Sequence, residues 1–576
     1  IVSTDCGGTF VDCAILDAAG QTHIGKAPNT VGQQSHAILD AVRAAAGSAG
    51  LSLEQVLSNC RLFLNGTTVT TNAMVQRTGA KTGLLITRGF EDTLVIGRVK
   101  SRWVGLSESE LIDFGRVTRP APVVPPQLTR GIAERIDVAG KVVVPVDLAQ
   151  VDLMLDELVG QGIESLAICL LWSFKNPAHE IAIAKHVRAK YPALHVVTSH
   201  ELVPTMGEYE RCNTTAVEAY IGPILTDYLA RLRSTLRGGG HSGELLVMQS
   251  MGGLAPMSGL ANAAVSTLQS GPAGGIIATQ KLGEQLQEPN LITADMGGTT
   301  FDVGLVVGGK PQTGQMSVVG RNLLLVPAVE VTSIGAGGGS LAWLDSARAL
   351  HVGPRSQSAN PGPACYGRGG ELPTVTDADV VLGYINPETF LGGRMKLRAD
   401  LARQALERHI AGPIGSSVED AAQAVYDIVN AHMADLIRSA LVGKGHDPRD
   451  FAMVAFGGCG PTHATGYGAD AQVRKVIIPP SATVFSALGI AQSEIKHFYS
   501  ASYAQTLAVS GQVTPDLAAE LDAQFLPLIE RAEAQLDRDR IAPDLRQLRR
   551  SLDLRYRQQV HELTIPIADT GPVSTA

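Results

Sequence analysis

The chain has 576 residues, 45% apolar but only 5% aromatic, and a formal net charge of 47 − 55 = −8. That length predicts two to four domains of about 100–200 residues each. The charge balance excludes a basic nucleic-acid surface, and no run of about 18 or more apolar residues marks a membrane span. Seven widely spaced cysteines, at 6, 13, 60, 169, 212, 365 and 459 with no C-x-x-C among them, argue against a disulfide framework or structural zinc and fit a reducing cytoplasm.

The sequence opens inside an apolar strand (residues 1–5), so a few residues before position 1 are expected. A glycine turn (residues 6–9) and a second strand (10–16) follow, then a helix over about 35–46, where apolar residues recur at helical spacing. Strands are predicted at 62–64 and 82–87, a proline-punctuated loop over 100–127, a helix over 148–159, a buried strand over 165–171 and a helix over 178–190. A long helix is expected around 213–236, ahead of Arg237-Gly238-Gly239-Gly240. Glycine-rich turns then recur at 252–253, 270–275, 297–298, 335–339 and 457–460. The chain closes on a helix over about 517–536 and a strand pair, 551–557 and 560–567, which reads as the start of a small C-terminal domain. Alternating strands and helices predict an α/β architecture, divided at 1–195, 196–495 and 496–576.

An internal repeat carries the chemistry. Asp5-Cys6-Gly7-Gly8-Thr9-Phe10-Val11-Asp12 matches Asp295-Met296-Gly297-Gly298-Thr299-Thr300-Phe301-Asp302 at five of eight positions. Each copy follows an apolar strand and leads into another, so each is a β-hairpin with a glycine–threonine turn. A triphosphate needs many donors at close range, and glycine lets successive backbone N–H groups form a concavity that holds an anion. Thr9, Thr299 and Thr300 add hydroxyl donors. Asp5 and Asp295 cannot be phosphate ligands, because like charges repel. They suit Mg²⁺, held through its retained waters, or the orientation of an attacking oxygen. Asp12 and Asp302 complete the repeat on the outgoing strands. Gly457, Gly458 and Gly460, in a turn after an apolar strand, would let adenine and ribose lie against the backbone, although a plain strand-to-helix turn gives the same pattern.

Phosphate, phosphate and adenosine motifs in that order resemble the actin/hexokinase/Hsp70 group. Within it the chain resembles the hydantoinase A, 5-oxoprolinase and acetone (acetophenone) carboxylase family. The matching segments include residues 65–73, Thr87-Arg88-Gly89-Phe90-Glu91-Asp92, Glu208-Tyr209-Glu210-Arg211, residues 248–253, Ser270-Gly271-Pro272-Ala273-Gly274-Gly275, Gly335-Ala336-Gly337-Gly338-Gly339-Ser340, residues 360–367 and residues 456–461. The resemblance implies two ribonuclease-H-like, actin-like ATPase lobes with an ATP cleft, a small truncated C-terminal α+β domain, ATP and Mg²⁺ as cofactors, and a hetero-oligomer with a hydantoinase B-type subunit. It also implies phosphorylation of a small carbonyl compound. Phe301, Lys444-Gly445 and Val484-Phe485-Ser486-Ala487 look more like the ketone carboxylase branch; an ATP-dependent hydantoinase or cyclic amide hydrolase is the alternative. A nucleotide-gated structural or chaperone-like module is a rival of another class.

Other patterns carry less. Gly20-Gln21-Thr22-His23-Ile24-Gly25-Lys26-Ala27 misses the P-loop pattern, because Ala27 stands where a Ser/Thr would reach Mg²⁺ and the setting is a turn between strands. Gly337 and Gly338 are assigned to the cofactor site, as a second layer behind the phosphates or a hinge. Cys365 and Cys459 read as inert thiols, since no His can be paired with them. His463 either borders the adenosine site or packs and caps. Arg211, near Glu208, either pairs with an anionic substrate or phosphate or, more simply, forms a surface or interdomain ion pair.

Overall fold

The computed structural model describes residues 1–568 apart from 30–33, 107, 114, 116, 261, 504–505, 507–513 and 560–561. The chain divides into two compact units. One comprises Ile1–Gly79, Ile224–Gly320 and Val326–Ile495; the other comprises Ala80–Pro223, Arg321–Leu325 and the described part of Lys496–Ala576.

The first unit contains two mixed sheets laid out on one plan. In the first, strands follow the order Leu254–Pro256, Glu244–Met248, Leu62–Thr67, Val2–Cys6, Phe10–Leu16, Thr22–Pro28. In the second the order is Lys475–Ile477, Ala452–Phe456, Leu291–Met296, Phe301–Val307, with Lys310–Pro311 and Val331–Ile334 both pairing the last. Each sheet has an antiparallel hairpin at its centre, Val2–Cys6 with Phe10–Leu16 and Leu291–Met296 with Phe301–Val307. Each hairpin is flanked by parallel strands on the side of its first strand. Strands with both faces covered read as continuous apolar runs, and Ala452–Phe456 is buried throughout.

One apolar cluster draws on both sheets: Leu64 and Leu246 from the first, and Leu291, Val306, Val454 and Phe456 from the second. Between them lie Ile276 and Ile277 of helix Ser270–Leu286, with Phe485 and Ile490 of helix Phe485–Ala491. Each such side chain contributes about 1.5–3 kcal/mol on burial. The expected turn at 270–275 is instead the opening of a helix. Its glycines serve close packing: a methyl on Gly275 would lie 2.6 Å from the Phe456 ring, and one on Gly274 would lie 2.7 Å from the Ser486 carbonyl. Gly489 reciprocates, since a methyl there would run into the Gly274 carbonyl. Gly489→Ala should therefore force two helices apart and cost about 1–3 kcal/mol, as overpacking does. A denaturation midpoint equal to that of the parent protein would contradict this.

The second unit is built on an all-parallel sheet, His195–Thr198, Ser165–Cys169, Thr82–Thr87, Thr129–Ile132. Helices Leu148–Gly160, capped by Asp147, and Ala178–Lys190 connect its strands. The long helix starts earlier than expected, at Glu208, and runs to Gly238. Helix Pro515–Arg538, capped by Thr514 with Pro at its first position, packs Leu517 and Leu521 near Leu552 and Ile567 of the pair Arg550–Leu554 and Leu563–Ile567. That pair is shorter than the sequence suggests, and Val560 lies outside the described residues. Among the described residues no helix is long and apolar enough to cross a membrane.

Arg211 is neither a surface nor an interdomain residue. It is fully buried inside the second unit, where its guanidinium donates to Glu208 Oε2 at 2.9 Å, the Leu170 carbonyl at 2.8 Å and Ser173 Oγ at 2.6 Å. Buried Glu180 lies 4.0 Å away and accepts from the Leu170 N–H at 2.8 Å and Ser199 Oγ at 2.6 Å. Burial alone would raise the Glu180 carboxyl, but the His200 hydrogen bond, Arg211 and Ser199 together hold it below the usual carboxylate range. A depressed carboxylate adds stability above its unfolded pKa, and that stability is lost as pH falls through the folded value. Arg211→Met strands Glu180, so it should cost about 3–5 kcal/mol and move the onset of acid unfolding to higher pH. An unchanged acid limb would refute the coupling.

Candidate functional site

The repeated hairpins superimpose in register as well as in sequence. Asp5 pairs across the ladder with Asp12, and Asp295 with Asp302. Both turns close with the same bond, Gly7 N–H to the Phe10 carbonyl and Gly297 N–H to the Thr300 carbonyl, each 3.0 Å. The turns face one another: a methyl on Gly298 would lie 3.1 Å from Thr9 Oγ1. Gly8 and Gly458 have open space where a side chain would stand, and both are exposed, as is Thr300.

The four aspartates are partly exposed along this opening. Burial, then Asp12, pushes Asp5 up to about 7 against the pull of Lys26. Asp295 is raised well above the ordinary value by burial, then by Asp302, Asp5 and Asp12, again against Lys26. Burial likewise raises Asp12, opposed by Lys26, and Asp302, opposed by Ser333 and Thr300. Carboxyls that raise one another's pKa form a site short of positive charge. Asp5 Oδ1 is buried and has no hydrogen-bond partner, the kind of atom a cation or its water would satisfy. Among the described residues no three His, Cys, Asp or Glu side chains form a metal cage. That donor set suits Mg²⁺, which takes one or two carboxylates and completes its shell with water and phosphate.

Glycines outside the two turns shape the same opening. A methyl on Gly457, whose φ is +87°, would strike Asp295 Oδ1. Gly460 opens helix Gly460–Asp470 beside the Ala294 carbonyl. Gly66, the parallel partner of Asp5, and Gly271, in the first turn of helix Ser270–Leu286, both border the Asp5 carboxylate, at 2.9 and 3.4 Å from an added methyl. Gly337 and Gly338 are buried behind the second turn: Gly338 N–H donates to the Gly297 carbonyl at 3.1 Å, and a methyl on Gly337 would lie 2.6 Å from the Thr299 nitrogen.

Three residues of the site, Gly66, Gly271 and Lys26, lie in segments singled out in the sequence but are given no site role there. Lys26 Nζ sits 2.5 Å from Asp12 Oδ1 on the neighbouring strand. A signal for it existed. The turn at residues 17–21 pairs Leu16 with Thr22, and counting back along both strands sets Asp12 opposite Lys26. His463 is fully buried, with Nε2 3.3 Å from Asp379 Oδ2 and its ring stacked on Tyr426. Burial, with Asp379, raises the Cys459 thiol to about 12, and burial also raises Cys365, so neither is a thiolate nucleophile.

The hydantoinase/oxoprolinase N-terminal region profile matches residues 1–191, and the hydantoinase/oxoprolinase profile matches residues 211–498. The chain is 36% identical to the acetophenone carboxylase gamma subunit of Aromatoleum aromaticum, over 97% of this chain and 77% of that protein. It is also 36% identical to the caprolactamase subunit alpha of Pseudomonas jessenii, over 98% and 80%. The nucleotide-free structure of acetone carboxylase, studied for ATP-dependent acetone carboxylation, matches with a TM-score of 0.84 at 31% identity, covering 100% of this chain and 82% of that one. The ATP-dependent caprolactamase from Pseudomonas jessenii matches at 0.80 and 34% identity, covering 98% and 81%. Agreement of this extent in sequence and in structure, over nearly the whole chain, makes the protein a member of the hydantoinase/oxoprolinase family.

Proposed function

We propose that the chain is the ATP-binding, phosphoryl-transferring subunit of a multi-subunit enzyme that activates a small carbonyl compound. The observation that carries this reading is the facing pair of identical hairpin turns, with Gly298 against Thr9 and an aspartate at the end of each incoming strand. In this reading the two sheets are ribonuclease-H-like, actin-like lobes, with the first hairpin in residues 1–195, the second hairpin and the adenosine turn in 196–495, and a small α+β part in 496–576. Relatives named as gamma, alpha and beta subunits support a hetero-oligomer, with a hydantoinase B-type chain as the partner. Seven free cysteines support a cytoplasmic setting.

The roles follow from the geometry. Backbone N–H groups of Gly7, Gly8, Gly297 and Gly298, with the hydroxyls of Thr9, Thr299 and Thr300, hold phosphate oxygens. Asp5 and Asp295 would hold a Mg²⁺ ion, and Asp12 and Asp302, opposite them on the outgoing strands, add negative charge that draws a cation to the site. Gly457, Gly458 and Gly460 leave room for adenosine. Bound Mg²⁺ would supply compensation for the phosphate charge. Fixed donors around the opening would favour the charge that develops on a transferring phosphoryl group.

A ketone, activated together with bicarbonate, is the substrate class this reading favours. A cyclic amide is the second, supported by the equal 36% identity to the caprolactamase subunit. ATP turnover by the assembled complex separates them: dependence on ketone plus bicarbonate supports the first and dependence on a lactam or hydantoin the second. Turnover indifferent to every small carbonyl compound would favour a nucleotide-gated module and sink the proposal. Asp5→Asn and Asp295→Asn should each lower carbonyl-dependent turnover by at least ~10²-fold, the scale of lost charge positioning at a reacting centre, with the fold intact by circular dichroism. Full turnover in both variants would remove the metal assignment.

A further inference from the structure

The two hairpins differ in what stands across from the second aspartate of each on the following strand. In the second sheet the residue opposite Asp302 is Ser333, whereas in the first the residue opposite Asp12 is Lys26. Lys26 is held from three sides. Its Nζ bonds Asp12 Oδ1 at 2.5 Å and the Thr483 carbonyl at 3.2 Å, and it lies 5.2 Å from the centre of the Phe10 ring. The backbone is tied too, since Arg394 donates to the Lys26 carbonyl at 2.9 Å. Three residues further on, Asn29 Nδ2 donates to the Gly7 carbonyl at 2.6 Å, and its N–H donates to the Thr9 carbonyl at 2.9 Å. The strand that carries the lysine thus also braces the first glycine turn.

We infer that Lys26 is a phosphate-positioning residue: its fixed ammonium group marks where the terminal phosphoryl group rests between Asp5 and Asp295. The inference rests on the nucleotide reading above. Four carboxyls line the opening, and Lys26 is the cation that acts on Asp5, Asp12 and Asp295 together. A polyphosphate entering between the turns brings further negative charge to a place already crowded with it. Backbone N–H groups supply only partial charges, so a fixed ammonium beside the carboxylates adds to the compensation that bound Mg²⁺ would supply. Lysine suits this task as a compact point charge with three donors. Asp12 takes one donor and the Thr483 carbonyl another, which leaves a third for a phosphate oxygen.

A purely structural ion pair and a phosphate-positioning lysine differ in one readout. Structural damage weakens all nucleotides alike, whereas loss of a contact to the terminal phosphate penalises ATP and spares ADP. The test is titration of Mg-ATP and Mg-ADP into the parent chain and into Lys26→Met, Lys26→Gln and Lys26→Arg, with thermal unfolding of each. Lys26→Gln keeps hydrogen bonds to Asp12 and Thr483, so it preserves the fold where Lys26→Met fails to. The expected result is a loss of ATP affinity of about 30-fold in Met and Gln, the scale of one charge-assisted hydrogen bond. ADP affinity should stay within about 3-fold, and Arg should recover most of the ATP affinity by restoring charge. Equal losses for ATP and ADP, or unchanged ATP affinity in a folded Gln variant, would overturn the role of Lys26 alone. A parent chain that binds neither nucleotide would overturn the nucleotide reading itself.

Discussion

The first unit is organised around a concentration of negative charge that the fold creates and only partly offsets. Two ladders set aspartate opposite aspartate, and the turns between them are close enough that a methyl on Gly298 would crowd Thr9 Oγ1 at 3.1 Å. Burial raises the carboxyls at Asp5, Asp12, Asp295 and Asp302, and neighbouring aspartates add to the rise at Asp5 and Asp295. Keeping such groups together costs stability in the unliganded chain, and sites that bear this cost are where ligand chemistry concentrates.

Holding that arrangement requires a rigid spacing between the two sheets, and the helix pair in the shared core provides it. Gly274, Gly275 and Gly489 let helices Ser270–Leu286 and Phe485–Ala491 approach until backbone meets backbone, with Phe456 filling the remaining space. The same first helix places Gly271 against the Asp5 carboxylate, with its positive N-terminal end toward an acidic group, a favourable orientation for a helix dipole. Packing and electrostatics therefore share residues. A change in the glycine contacts alters the core and shifts Asp5 relative to Asp295 at once.

Much of this was readable in the sequence, because a repeat with matching chemistry carries its own register. The spacing from Asp5 to Asp12 and from Asp295 to Asp302 predicted two hairpins, and the pairing follows directly. What could not be read were relations set by packing. Residues 270–275 looked like a turn because glycine is a turn residue, yet here glycine is the residue small enough for helix contact. Arg211 looked like a surface partner because buried arginine is uncommon, and only the fold shows Ser173, the Leu170 carbonyl and Glu208 converging on it. Lys26 was legible in principle through its cross-strand register, but its P-loop-like setting drew attention to the wrong mechanism.

Family membership narrows what the shared plan can determine. Proteins named as acetophenone carboxylase and caprolactamase subunits both match nearly the whole chain at 36% identity, so overall likeness does not separate those two activities. Both chemistries need an oxygen made into a better leaving group or a carbonyl made more reactive, and a phosphoryl group answers either need. Under the proposed function, a phosphate grip set by backbone N–H groups and fixed charges would be indifferent to the acceptor, because it would contact only the donor end. On that reading, substrate choice lies in the residues that touch the acceptor.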